Sequence, residues 1–176
     1  TFANVVSKIK YIDTIIPSPL LLKSLYEKEI IEIGGVHCFI YFQENDAFIT
    51  VYNEKEFLYT KSINYSFLQM HEKFCELYGE RVEYENFIEF FSTHNLKDTS
   101  SDYKEYFIKL YKEIFANAND ILTYVKRAYE LEKIEHIYIG AQLQTVTKLD
   151  EMTEVELGIK SSNFEFDYGF ESDGIY

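Results

Sequence analysis

Tryptophan is missing altogether, cysteine and proline occur twice each, glycine seven times, and 17 basic residues face 30 acidic ones across 176 positions. The shortage of positive charge removes one class of partner, because a net charge of −13 repels the phosphate backbone of nucleic acids and the anionic face of a bilayer. Long apolar runs are missing too. No stretch approaches the roughly 20 residues that span a bilayer, and no basic segment leads into an apolar core as in a signal peptide. The expected setting is therefore soluble and cytoplasmic. Gly-x-Ser-x-Gly, His-Glu-x-x-His, Walker and Cys-x-x-Cys patterns are absent, which takes away the ready-made routes to acyl transfer, zinc-dependent cleavage, phosphate cradling and dithiol exchange. Cys38 and Cys75 fall in a strand and a helix and read as small core hydrophobes in a reducing compartment, with a disulfide between them as the alternative. His71 and Cys75 stand four apart on one helix face, but no third or fourth ligand of the kind zinc needs lies near them.

Aromatic residues take up the slack. With 16 Tyr, 15 Phe and 47% hydrophobic residues, the chain is globular and long enough for one domain, or one and a fraction, with a core of its own. Residues 10–16 alternate as a strand, and Pro17 and Pro19 stop it and seed a helix over 18–31. Gly34 and Gly35 permit a sharp turn into residues 36–43, which are apolar nearly throughout and so predict a central strand buried on both faces. Strands over 47–52 and 57–63 follow across polar turns and complete an antiparallel meander. Helical spacing of Phe67, Met70, Phe74 and Leu77 predicts a helix over 65–78 that Gly79 closes, and a shorter one follows over 83–91. A polar loop over 94–101 leads into the longest helix, 103–131, whose apolar stripe runs from Phe107 to Tyr129. A strand over 134–139 ending at Gly140, a helix over 148–157 stopped by Gly158, an edge strand over 163–168 and an acidic aromatic tail complete the chain. The first nine residues begin without a cap or a methionine, as expected of the middle of a longer polypeptide.

Three passages carry a resemblance: IDTIIPSPLLLKSLY (12–26), AFITVYNEKEFLYTKSI (47–63) and IEHIYIGAQLQTVTKLDEMTEVELGI (134–159). In this order of elements they resemble the second domain of the actin and hexokinase superfamily, and within it the FtsA and PilM branch. The resemblance implies an α/β fold, a ribonuclease H-like or actin-like half-domain, in which the meander and further strands form a mixed sheet packed by long helices. It also implies a division into 1–27, a remnant of an upstream first domain with the crossover helix; 28–160, the actin-like second domain; and 161–176, an edge strand and tail.

The phosphate loop of that branch reads Asp-Ile-Gly with a Thr or Ser soon after, since an acid positions metal-bound water and glycine lets backbone N–H groups reach phosphate. Alignment through Lys61 to Ile63 puts Tyr41, Phe42 and Gln43 on that triplet, with Glu44 and Asp46 close by and no glycine. A second register places Glu32-Ile33-Gly34-Gly35 on the loop and keeps its glycines, at the expense of an additional strand pair before Lys61. Where the branch has a double glycine against the base, this chain has Gly140-Ala141-Gln142, so Gly140 is either the vestige of a nucleotide site or a plain turn residue. The carboxylates Glu44, Asp46, Glu54 and Glu56 read as a solvated rim, and His37 and His136 as core or edge histidines with one satisfied nitrogen.

The departures from that pattern lead to the expectation of a protein with no catalytic residues, no metal and no cofactor. It would act as a scaffold on the cytoplasmic side of a pilus, DNA-uptake or secretion machine, peripheral to the inner membrane, like PilM-type components and the cytoplasmic domain of GspL. Its partners would be protein components of that assembly, with self-association open. The contact candidates are Asn53, Lys55, Phe57 and Tyr59 on the meander edge, where a partner strand could add, and Phe164 and Phe166 in the tail. Two other readings stand beside it: a nucleotide-binding actin-like ATPase seen without its first domain, and an unrelated α/β interaction module.

Overall fold

The structure, a computed structural model, describes residues 17–93, 102–142 and 149–164. The expected strand over 10–16, the loop over 94–101 and the tail beyond 164 lie outside the described residues. Strands β1 (Val36–Phe42), β2 (Ala47–Asn53) and β3 (Glu56–Ser62) form the antiparallel meander. Strand β4 (His136–Ala141) runs parallel to β1, and β5 (Ser161–Asn163) runs parallel to β4, giving the five-stranded order β3-β2-β1-β4-β5. This is the mixed sheet expected, with β1 at its centre.

β1 is buried along its whole length because alternate side chains enter two different cores. Val36, Cys38, Ile40 and Phe42 meet a layer of helices, while Phe39 and Tyr41 meet a smaller cluster with Phe48, Tyr52, Leu22, Leu25 and Tyr26. The helix layer is built from α3 (Phe67–Tyr78), α4 (Tyr84–Thr93), α5 (Lys104–Ala128) and α6 (Leu149–Leu157). Two short helices, α1 (Ser18–Leu21) and α2 (Lys23–Glu27), cover the aromatic face.

Helix ends depart from the sequence reading for local reasons. α3 starts two residues late because Ser66 is its N-cap: Gln69 N–H donates to Ser66 Oγ at 3.3 Å, and Ser66 N–H donates to Gln69 Oε1 at 3.0 Å. The single helix expected over 18–31 is divided at Leu22 into α1 and α2 and ends early, because Glu29 turns left-handed (φ 55°) and Ile30 N–H returns to Leu25 O, which folds Ile31 back into the core. The same device ends α5: Glu130 has φ 53° and Leu131 N–H reaches Lys126 O, leaving Tyr129 exposed beyond the stripe. β5 begins at Ser161, two residues before the expected edge strand, and Phe164 beyond it buries its ring in the aromatic core.

The β2–β3 turn holds Glu54 at φ 49° and Lys55 at φ 71°, a geometry that hairpins usually give to Asn-Gly. Lys55→Gly is expected to stabilise the protein by about 0.5–1 kcal/mol, a rise in Tm of about 1–4 °C in a thermal melt followed by circular dichroism. No change, or a fall, would show that this turn is not strained.

Candidate functional site

The β1–β2 turn lies where the resemblance places a phosphate loop, and three of its backbone amides have acceptors from the chain itself. Gln43 N–H donates to Asp46 O at 2.8 Å, Ala47 N–H to Asp46 Oδ1 at 2.9 Å, and Glu44 N–H to Gln142 Oε1 at 3.2 Å. Its carbonyls are used as well. The first amides of α3, Phe67 N–H and Leu68 N–H, donate to Gln43 O at 2.9 Å and Glu44 O at 3.2 Å. A helix N-terminus binds anions through amides left unpaired in its first turn. Here the turn's carbonyls and Ser66 take that role, so α3 is docked onto the turn and not open to a phosphate.

The local field opposes an anion too. Glu44, Asn45 and Asp46 are exposed, and the phenol of Tyr84 is held above its ordinary pKa, first by burial and then by the carboxylates of Glu44 and Glu85. Carboxylates and self-satisfied amides together make a closed, negatively charged end to the sheet.

Gly140 stands at this same end, opposite Tyr41 in the β1–β4 register, and Gln142 beyond it both donates to Phe42 O at 2.8 Å and accepts from Glu44. The two features that the resemblance assigns to phosphate and adenosine are therefore neighbours. Gly140 has a packing reason of its own: a Cβ there would lie 2.7 Å from Phe164 Cζ and 2.9 Å from Tyr41 Cδ2. Gly34 and Gly35 are at the other end of β1, where Gly35 is left-handed (φ 75°) and a Cβ would run into the Glu135 side chain.

The expected contact residues divide. Asn53 and Lys55 lie at the β2–β3 turn, and Phe57 is 42% exposed on β3, a true edge of the sheet, with its ring 5.8 Å from Tyr52. Tyr59 is half-buried and meets Tyr124 at 5.8 Å and Tyr129 at 6.5 Å, so this edge carries a group of partly exposed rings. Phe164 requires a correction: it is 8% exposed, against Phe39 and Tyr41, because the space above Gly140 admits its ring, and it is core and not contact surface. Phe166 lies outside the described residues.

Both cysteines are free thiols. Cys38 is fully buried, which pushes its thiol well above the ordinary range. His71 Nε2 is 2.6 Å from Val82 O and 3.5 Å from Cys75 Sγ, a brace between α3 and the segment before α4; no group of metal ligands occurs among the described residues. Sequence reasoning missed the docking of α3 on the turn and the Gln142 bridge. Only a helix start immediately after the meander hinted at the first, and nothing local marks a contact between positions 98 residues apart.

No family model matches the chain, and no curated protein matches it. Solved structures do. A PilM–PilN type IV pilus biogenesis complex aligns over 88% of this chain and 45% of its own, with 12% identity and a TM-score of 0.61. MreB 5 of Spiroplasma citri, bound to AMPPNP, aligns over 92% and 58%, with 8% identity and a TM-score of 0.64. The ethanolamine utilization protein EutJ from Carboxydothermus hydrogenoformans aligns over 84% and 49%, with 12% identity and a TM-score of 0.54. The chain thus spans about half the length of these structures. The fold is that of an actin-like half-domain.

Proposed function

We propose that this chain is the second half of an actin-like protein of the PilM kind, which works by protein contacts and not by phosphate chemistry. The observation that carries the reading is the β1–β2 turn, whose Gln43, Glu44 and Ala47 amides are engaged by the protein's own acceptors and whose exposed side chains include two carboxylates. A loop that binds polyphosphate needs the opposite: free amides, room and no like charge. The likeness in fold to a PilM–PilN complex supports an assembly of the pilus, DNA-uptake or secretion type on the cytoplasmic side of an inner membrane, with protein components as partners. The contact surface is the β3 edge, where Phe57 is exposed on the face of Tyr52 and, across a β-bulge, Tyr59 meets Tyr124 and Tyr129 on the helix face.

Calorimetric titration of the natural full-length protein with magnesium ATP tests this reading. The expected result is no binding tighter than about 1 mM, that is, less than about 4 kcal/mol of affinity. Micromolar binding that disappears on Gly140→Val or Glu32→Ala, with the variant still folded, would overturn it in favour of an actin-like nucleotide-binding protein.

A further inference from the structure

His37 and His136 stand directly opposite one another where β1 and β4 pair in parallel, at the end of the sheet away from the acidic turn. Tyr26 of α2 lies nearly parallel to the His37 ring, with centroids 5.7 Å apart and planes 5° apart, and its hydroxyl is 2.8 Å from His37 Nδ1. Tyr138 closes the other sides, edge-on to His37 at 5.5 Å and 4.4 Å from His136. His136 Nε2 is in turn 2.8 Å from Ser162 Oγ on β5. His37 is only 5% exposed.

We propose that this histidine pair is a proton-sensitive clasp that holds the α1–α2 arm, residues 17–31, on the aromatic face of the sheet. Besides the clasp, the Tyr52 hydroxyl donates to Pro19 O at 3.0 Å, and the arm's helices have little stability of their own. Helices of 4 and 5 residues are far below the length at which a helix persists in water, so docking of Leu22, Leu25, Tyr26 and Ile31 keeps it folded. Burial keeps the Tyr26 phenol protonated, and it donates to Nδ1 in the His37 tautomer that carries its proton on Nε2. Protonating His37 makes both ring nitrogens donors, deprives the phenol of its acceptor and leaves a cation in a buried site beside a second imidazole.

Charged groups on the neighbouring elements do not cancel this. Burial holds His37 below its ordinary pKa and His136 lowers it further, with Glu135 of the β4 approach opposing; burial and Lys160 lower His136, with Glu154 of α6 opposing. Glu32, on the loop after the arm, acts on Tyr138. The folded-state value of His37, the ring the arm touches, lies below the ordinary value of about 6.5, so the docked arm binds fewer protons than the open one. Its stability is full above that pH and is lost as pH falls below it. Release of the arm exposes the His37 ring, and Gln at position 37 would keep an acceptor for Tyr26 without titrating.

Hydrogen exchange, corrected for intrinsic rates, tests the clasp. Between pH 7.5 and 5.0, protection of the arm in the wild-type protein is expected to fall about tenfold or more while that of α5 holds, and in His37→Gln the arm's fall should vanish. Equal falls in wild type and His37→Gln would overturn the clasp. If the variant does not fold, imidazole resonances of the wild type decide the matter: titration of both rings at the ordinary value refutes it, and titration below that value in step with arm exchange supports it.

Discussion

A methyl group on Gly140 is expected to destabilise the fold by about 1–3 kcal/mol, and the two branches of valine to destabilise it more. The added Cβ would meet Phe164 Cζ at 2.7 Å and Tyr41 Cδ2 at 2.9 Å, inside the closest approach carbon atoms tolerate. Neither ring can swing aside freely. Phe164 is wedged edge-on to Phe39 at 5.9 Å and stacked on Tyr41 at 5.9 Å, and Tyr41 is pressed on Phe48 at 5.6 Å. The clash is with both rings and closest with Phe164, so shortening that ring should relieve part of it. In a double-mutant cycle, Phe164→Leu with Gly140→Ala is expected to be less destabilising than the two single changes added together, by about 0.5–3 kcal/mol. Urea unfolding followed by far-ultraviolet circular dichroism measures the cycle, a sensible probe in a chain without tryptophan. Simple additivity would mean that Gly140 is needed for something other than the ring above it.

Phe107→Ala is expected to have the larger effect, about 3–5 kcal/mol, a large share of the 5–15 kcal/mol by which a domain is usually stable. Phe107 is 1% exposed and joins three helices: its ring lies 4.6 Å from Phe74 on α3, and 4.6 Å from Phe90 and 5.4 Å from Phe87 on α4. Removing it empties the centre of the helix layer, and aromatic rings held on several sides cannot all close in. Phe107→Leu keeps much of the volume and should lose less. A drop below about 1 kcal/mol for the alanine variant, from the midpoint of urea unfolding at unchanged slope, would contradict this packing.

Much of this architecture is legible from local chemistry. The run Val-His-Cys-Phe-Ile-Tyr-Phe has no polar face to show to water, so it belongs at the middle of a sheet with layers on both sides, and β1 is there. The spacing of Phe67, Met70 and Phe74, with Gly79 after it, specifies α3 and its left-handed end, as the stripe from Phe107 to Val125 specifies α5. Sequence reasoning fails where an apolar residue reaches the core by chain reversal: Ile31 looks like the last turn of a helix and is buried by a left-handed Glu29. It fails again at Phe164, whose alternation with Phe166 reads as an edge strand while its ring fills a space left by a glycine 24 residues earlier.

The sequence by itself determined the succession of strands and helices, the meander and the acidic turn without glycine, because periodicity, turn residues and charge act over a few positions. Only the tertiary structure decided what that turn does with its amides and what Gly140 leaves room for. Glu44 meets Gln142, Gln43 meets Phe67, and Gly140 meets Phe164 only after the sheet has brought distant segments together. Hydrogen-bond satisfaction and steric fit depend on separations of about 3 Å, which no pattern along the chain encodes.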